Sequence, residues 1–116
     1  MAKILVVDYE QSMREFLEIL LSKEGHDVVC VDSGEPAVQL SRENGDFDLV
    51  ITDLKMPRVG GIEVLENFKR SAPEIEVIVM TAYSTTETAI QAMKKGAYDY
   101  LSKPFQVDEI RVIVEK

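Results

Sequence analysis

The stretch ILVVDYEQSM, residues 4–13, carries four apolar residues directly into two acids that flank a tyrosine. Ile, Leu and Val in a run of this length are typical of a strand. Apolar residues then recur at helical spacing and place one stripe on a helix: Met13, Phe16, Leu17, Leu20 and Leu21. The sequence therefore opens with a strand that ends in acid and passes into an amphipathic helix.

The same unit recurs along the chain. Apolar runs of strand length are Ile4–Val7, Val28–Val31, Leu49–Ile51, Val77–Met80 and the weaker Tyr98–Leu101. After the first helix, further helical patterns lie around Pro36–Arg42, Ile62–Arg70, Thr85–Lys95 and from Val107 to the end. A strand followed by a helix, five times over, indicates an α/β protein.

Strands that are apolar on both faces, separated by amphipathic helices, predict a parallel sheet covered on both sides through right-handed crossovers. We therefore expect a doubly wound five-stranded sheet in the flavodoxin-like order 2-1-3-4-5, with helices on both faces. Residues 1–116 form one domain of ordinary size. The last helical pattern, VDEIRVIVEK, is short, which predicts a domain cut from a longer protein.

Composition limits the function classes. The chain has 21 acidic and 13 basic residues, a net charge of −8, and no basic stripe, so we expect no direct contact with nucleic acid. No apolar run approaches the roughly 20 residues that span a bilayer, and MAKILVVDYE lacks the features of a secretory signal. We expect a cytoplasmic protein without membrane contact. Cys30 is the single cysteine, so no internal disulfide can form.

Polar side chains stand where the predicted strands end. Asp8 ends the first strand, Asp53 the third and Thr81 the fourth, and Lys103 follows the fifth. In doubly wound sheets the working site lies beyond the carboxyl ends of the strands, where the strand order reverses. We therefore expect these four side chains to converge. A strand-ending aspartate alone is more often a cap or turn former, so the prediction depends on the four together.

Asp8 and Asp53 become neighbours in the order 2-1-3-4-5. Two carboxylates about 5 Å apart repel by roughly 3 kcal/mol at an effective dielectric near 20, so positive charge is expected between them. Lys103 supplies one charge, and Mg²⁺ suits a site with few carboxylates and several waters.

This combination of groups suits attack of a carboxylate on phosphorus. Mg²⁺ and Lys103 would neutralise the transferring group, and the Thr81 hydroxyl would bond one of its oxygens. Asp53 is the better nucleophile, because LKMPRVGG follows it and leaves room above it.

Four motifs carry a family resemblance: ILVVDYE, DLVITDLKMPRVGGIEVL, VIVMTAYS and GAYDYLSKPF. They resemble the receiver domain of two-component response regulators over essentially the whole chain. The run TAYSTTETAIQAMKKGAYDYLSKPF is most like receivers of nitrogen-regulator-type, sigma-factor-activating transcriptional regulators. The resemblance implies a phosphoacceptor that assists its own phosphorylation and dephosphorylation rather than an enzyme. It also implies a sensor histidine kinase as partner, linked ATPase and DNA-binding output domains, and a second receiver as a dimer partner.

The resemblance assigns roles by position. Asp53 would accept the phosphoryl group, and Thr81 and Lys103 would contact its oxygens. Mg²⁺ would be held by Asp8, Asp53 and the main-chain carbonyl of Lys55.

Other roles follow from the same resemblance. Tyr100 would be the aromatic switch that turns inward when Thr81 moves, and Pro104 would follow a cis peptide. Lys55 and Tyr83 stand where the family controls attack by water, and neither is suited to orienting one, so we expect slow self-dephosphorylation.

Tyr9 departs from the family, where a second acid at this place is the direct metal ligand. Three interpretations are open. Asp8, Asp53 and extra waters hold a weaker Mg²⁺ site; Glu10 swings in as a substitute ligand; or the domain is a pseudo-receiver that docks without phosphorylation.

The fourth helix is expected to carry the output surface. Ala89, Ile90 and Met93 are predicted to point inward, and the exposed face would carry Thr85, Thr86, Glu87, Gln91, Lys94 and Lys95. By resemblance, movement of Thr81 and Tyr100 would remodel the face formed by this helix and the fifth strand, and phosphorylation would change self-association.

Two functions from other classes are disfavoured. A flavodoxin-like electron carrier needs a Gly-, Ser- or Thr-rich phosphate loop after the first strand, where DYEQS places two acids. A phosphate-ester hydrolase would need a substrate-capping insertion, for which the short connections leave no room.

Overall fold

The structure, a computed structural model, describes residues 2–43, 46–82 and 85–115. Five strands alternate with five helices. The elements are β1 (Lys3–Val7), α1 (Gln11–Lys23), β2 (Asp27–Val31), α2 (Gly34–Arg42), β3 (Leu49–Asp53), α3 (Gly61–Ser71), β4 (Glu76–Thr81), α4 (Thr86–Lys94), β5 (Asp99–Ser102) and α5 (Val107–Glu115). Every strand and helix expected from the sequence is present, and no end differs from the expected one by more than two residues.

The sheet is parallel throughout and has the order β2-β1-β3-β4-β5. The predicted order is therefore confirmed. Val7 pairs with Thr52, and Asp53 pairs with Met80, so β1, β3 and β4 end at nearly the same level. This register brings the residues that end the three central strands to one edge of the sheet.

Both faces of the sheet are covered. On one face Leu5, Val7 and Val50 pack in a buried cluster with side chains of α2, α3 and α4. On the other face Ile4 and Ile51 pack with side chains of α1 and α5. Burial on both faces explains why the strands read as continuous apolar runs rather than as alternating ones. No helix in the described ranges has both the length and the apolar character needed to cross a bilayer.

The orientation of α4 differs from the expectation. Ala92 is fully buried, whereas Ile90 is 49% and Met93 48% exposed, and Ala89 is half-buried. The prediction that Ile90 and Met93 point inward was wrong. Apolar residues at 89, 90, 92 and 93 permit more than one stripe at helical spacing, and the helix uses the small side chain of Ala92 against the core. Two large apolar side chains therefore face outward.

Candidate phosphoacceptor site

Two carboxylates are buried at the carboxyl edge of the sheet. Asp53 is the last residue of β3 and is 7% exposed, and Asp8 follows β1 and is 0% exposed. They are buried because β1 and β3 are neighbours in the middle of the sheet. The structure therefore brings together the two acids that the sequence placed at adjacent strand ends.

The ammonium of Lys103 lies against both acids. Its Nζ is 2.8 Å from Asp8 Oδ2 and 3.5 Å from Asp53 Oδ2. The backbone N–H of Lys103 donates to the carbonyl of Thr81 at 2.8 Å, which fixes the loop after β5 beside the end of β4. The peptide bond between Lys103 and Pro104 is cis, as the resemblance implies. The two contacts with the acids and the backbone bond to Thr81 hold Lys103 at the site.

Burial and charge shift the acid–base behaviour of this group of side chains. Desolvation raises the pKa of Asp53, and the charge of Asp8 raises it further; the charge of Lys103 and a hydrogen bond from the Lys55 N–H act in the opposite direction. Desolvation acts to lower the pKa of Lys103, but the hydrogen bond and charge of Asp8, with the charges of Asp53 and Glu10, raise it overall. Lys103 therefore stays charged, and positive charge at this edge is what the acids require.

Thr81 and Tyr100 lie on the next two strands. Thr81 ends β4 and is fully buried, one position beyond the residue that pairs with Asp53. Tyr100, on β5, pairs with Val79 and packs half-buried against the core. Its hydroxyl lies 3.0 Å from Oγ1 of Thr88 on α4. Thr88 was not singled out in the sequence, because the usual capping pattern has Glu or Gln three residues after the cap.

Tyr9 and Glu10 form the rim of the site. Tyr9 is 62% exposed. Glu10 donates its N–H to Asp8 Oδ1 at 2.9 Å, and its carboxylate lies 3.5 Å from the ammonium of Lys103. Arg14 Nη1 donates to the carbonyls of Asp8 and Tyr9 at 2.8 and 3.1 Å. Arg14 thus holds the loop that carries both, and nothing in the sequence distinguished it from any other polar residue of α1.

The donor set fits a hard cation. The carboxylates of Asp8 and Asp53 are buried and share one ammonium, and oxygen ligands of this kind suit Mg²⁺. Within the described ranges, no three or more His, Cys, Asp or Glu side chains are grouped to hold a metal. Lys55 is exposed at the surface of the loop after β3, and Tyr83 lies outside the described residues.

Comparison with known proteins identifies the family. The family described as "Response regulator receiver domain" matches residues 4–115. The chain belongs to this family. The match spans β1 to α5, so the two buried acids, the threonine and the lysine belong to one receiver domain.

Relatives of this receiver domain include longer proteins. The chain is 43% identical over 113 residues to the "Transcriptional regulatory protein ZraR" of Escherichia coli K12. That match covers 97% of this chain and 25% of the relative, so the receiver domain spans about a quarter of the length of the curated relatives it matches.

Solved structures support the same family assignment. A response regulator receiver domain protein from Clostridium thermocellum superposes with a TM-score of 0.92 at 34% identity, covering 99% of this chain and 92% of that one. The beryllofluoride-activated NtrC4 receiver domain dimer superposes with a TM-score of 0.88 at 31% identity, covering 99% and 94%. The receiver domain is thus of the nitrogen-regulator type by likeness.

Proposed function

We propose that this receiver domain accepts a phosphoryl group on Asp53 from a cytoplasmic sensor histidine kinase in a Mg²⁺-dependent reaction. The observation that supports this most is the buried Asp8–Lys103–Asp53 arrangement, in which Asp53 ends a central strand and carries a raised pKa. A buried acid at the edge of the sheet, beside a cation and a hydroxyl, is the group placed for nucleophilic work.

In the proposed transfer, a carboxylate oxygen of Asp53 forms a bond to phosphorus. The bond from phosphorus to the imidazole nitrogen of the kinase histidine breaks, and its electron pair stays with that nitrogen. The ammonium of Lys103 then balances charge on the phosphoryl oxygens, and the hydroxyl of Thr81 donates to one of them. The chain acts as the phosphoacceptor and assists its own phosphorylation and dephosphorylation.

A bound Mg²⁺ would neutralise charge on the transferring phosphoryl group. Asp8, Asp53 and the carbonyl of Lys55 would hold it, with waters completing the coordination. Tyr9 offers no carboxylate where the family has a ligand, so this receiver would bind the ion more weakly than one with two consecutive acids.

The signal would leave through α4 and β5. Ile90 and Met93 expose apolar surface on α4, and such surface between polar residues is typical of contacts with other proteins. The longer relatives and the dimeric NtrC4 receiver domain support two partners. These are a linked output domain that acts in transcription, with ATPase and DNA-binding parts, and a second receiver.

The test is intact mass after incubation with acetyl phosphate, with and without Mg²⁺. The unaltered chain should gain one phosphoryl group only with Mg²⁺, Asp53→Asn should gain none, and Tyr9→Asp should react faster. A phosphoryl group found on Asp53→Asn would show that another residue is the acceptor and would overturn the proposal.

A second candidate is a pseudo-receiver that docks or dimerises without phosphorylation. Tyr9, which is exposed at the rim where the family has a metal-binding acid, favours it. An adduct that appears only in Tyr9→Asp would establish this alternative for the chain as it stands.

A further inference from the structure

The first residue of α2 packs directly on the loop that follows Asp53. This acceptor loop, residues 54–60, joins β3 to α3. A Cβ at Gly34 would lie 2.3 Å from the carbonyl oxygen of Val59 and 2.7 Å from its Cγ1. Side-chain atoms do not approach other atoms so closely, so the helix and the loop can touch here only because residue 34 is glycine.

The part of the acceptor loop that touches α2 is strained. Arg58 has a φ of 65°, and the N–H of Val59 donates to the carbonyl of Pro57 at 2.8 Å. A three-residue turn with positive φ at its centre is rare, and such a conformation persists only where the surrounding structure holds it. Val59 packs half-buried against the apolar cluster on this face of the sheet, and Arg58 pairs with Glu35 of α2 at 3.0 Å. Because that ion pair is exposed it contributes little, so the apolar contact is the stronger of the two.

The acceptor loop also supplies a hydrogen bond to the phosphoacceptor candidate. The N–H of Lys55 donates to the carboxylate of Asp53. The N–H of Gly61 donates to the carbonyl of Leu54 at 2.9 Å and closes the base of the loop. Residues 55–60 lie between these two points, so their path depends on what they pack against.

We propose that α2 positions the acceptor loop, and with it the carboxylate of Asp53, through the contact of Gly34 with Val59. Gly34 and Val59 are positioning residues, and α2 itself carries none of the groups assigned to the phosphoryl transfer. The contact stands on the geometry of the structure, and only its effect on phosphorylation rests on the proposed function.

Two valine variants test the contact without adding any atom. Val59→Ala and Val38→Ala remove the same two methyl groups from the same apolar cluster, against which both side chains pack half-buried. Val59→Ala should react with acetyl phosphate and Mg²⁺ about tenfold more slowly, because it loosens the loop that carries a donor to Asp53. Val38→Ala, on α2, should keep the unaltered rate. Equal rates in the two variants would overturn the proposal.

A Cβ at position 34 tests the same contact from the side of the helix. Relief of the 2.3 Å approach requires a shift of about 1 Å, and a misplacement of that size can cost as much as about 100-fold in rate. Gly34→Ala should therefore slow the reaction by at least about tenfold. Circular dichroism checks that the variant is folded; if it is not, the valine pair decides the question.

A double variant shows whether the effect passes through Val59. Val59→Gly removes both the Cβ and the Cγ1 that the new side chain would meet and lets the carbonyl move. In that background, Gly34→Ala should slow the reaction by less than about twofold, because substitutions that act through one contact are not additive. Slowing by the same factor in both backgrounds would show that residue 34 acts by another route and would contradict the proposal.

NMR separates the contact from the proposed function. Without phosphodonor or metal, the amide resonance of Lys55 should shift in Gly34→Ala and in Val59→Ala but not in Val38→Ala. If these shifts occur and no chain gains a phosphoryl group, the proposed function fails and the contact stands. If the unaltered chain gains the group on Asp53 and both variants react at its rate, the positioning role fails alone.

Discussion

At the scale of single residues, the charge of Lys103 compensates the two acids that are buried at the edge of the sheet. Its ammonium is the cation nearest to the fully buried Asp8 and is also in reach of Asp53. Breaking a buried ion pair by removing one partner leaves the other charge uncompensated, which costs more than the pair contributes.

Lys103→Met should therefore lower the free energy of unfolding by about 3 kcal/mol in a chelating buffer. The measurement is urea denaturation followed by circular dichroism. Added Mg²⁺ should recover part of the loss, because a cation would again balance the two acids. Lys95→Met is the control, since it breaks the exposed pair with Glu66 and should cost less than about 1 kcal/mol. Equal losses in the two variants would contradict this account of the site.

Asp53→Asn should have the opposite effect, with a defined pH dependence. The pKa of Asp53 is raised in the folded chain above its ordinary value of 3.8, first by burial and then by Asp8. Below its folded-state pKa the Asp53 carboxyl is protonated and neutral, and it then resembles the asparagine of the variant. As the pH rises through the folded-state pKa, the unaltered chain gains a buried charge and loses stability relative to Asp53→Asn.

Urea denaturation of both chains in chelating buffer at pH 4 and at pH 8 measures this difference. The advantage of Asp53→Asn should be larger at pH 8. An exposed acid serves as control in Asp27→Asn, where the difference should change little with pH. A stability advantage of Asp53→Asn that is larger at pH 4 than at pH 8 would reverse the sign and refute the prediction.

The sequence predicted the four central side chains because each ends or directly follows a strand and the strand order brings those strand ends together. It did not predict Arg14, whose two bonds go to backbone carbonyls, since carbonyls leave no mark in a sequence. Tyr100 was placed by resemblance, but its partner Thr88 depends on how α4 sits beside β5. Contacts between elements that depend on packing, rather than on where the strands end, could not be predicted from the sequence.

At the scale of elements, the start of α3 lies directly behind the phosphoacceptor candidate. A Cβ at Gly61 would collide with the carbonyl of Asp53 and with the backbone of Leu54. The N–H of Gly61 donates to the Leu54 carbonyl at 2.9 Å, which closes the loop between β3 and α3. Glycine is therefore required by close approach of two backbones, and the position of Asp53 depends on it.

Gly61→Ala should lower the free energy of unfolding by about 2 kcal/mol, as overpacking does, and should also slow phosphorylation because Asp53 is displaced. Gly60→Ala is the adjacent control. A Cβ there would come 3.2 Å from the Leu54 carbonyl, a closeness that a small shift relieves. Thermal unfolding and the rate of the acetyl phosphate reaction measure the two effects. If Gly60→Ala lowered the free energy of unfolding as much as Gly61→Ala does, the start of α3 would tolerate a Cβ at neither position. The close approach to the Asp53 carbonyl would then not explain the loss.

The orientation of α4 shows where periodicity fails. In a helix of nine residues, four apolar positions at 89, 90, 92 and 93 do not define one stripe. Large side chains were expected inside, yet the helix approaches the core through Ala92.

At the scale of the whole molecule, the fold was predictable because the strands are apolar on both faces. That pattern admits few arrangements other than a parallel sheet between two layers of helices. The strand order followed from the doubly wound class, and the register β1–β3–β4 then placed the site. Surface properties were less predictable, since they depend on which side of a short helix turns outward.

Exposed apolar surface on α4 should support association in the activated state. With beryllofluoride, sedimentation at high protein concentration should show dimers of the unaltered chain, and Ile90→Ser should weaken association by about tenfold, as loss of one central apolar contact does. Ile19→Ser is a matched control, because Ile19 is 62% exposed but lies on α1. Equal weakening by both substitutions would show that the contact is not specific to α4. Sedimentation that does not change when beryllofluoride is added would show that activation does not cause association.

The pair of Lys103 and Asp8 joins residues that are 95 positions apart in the chain. During synthesis from the N-terminus, β1 and β3 would both leave the ribosome before the lysine that balances Asp8 and Asp53. Contacts of such sequence separation form late, because the intervening loop must close first. A nascent or truncated chain that ends before Lys103 would hold Asp8 without its cation and would be a poor phosphoacceptor. The Asp8–Lys103 pair can therefore form only after synthesis has passed the loop that follows β5, and the proposed phosphoacceptor site is complete only from that point on.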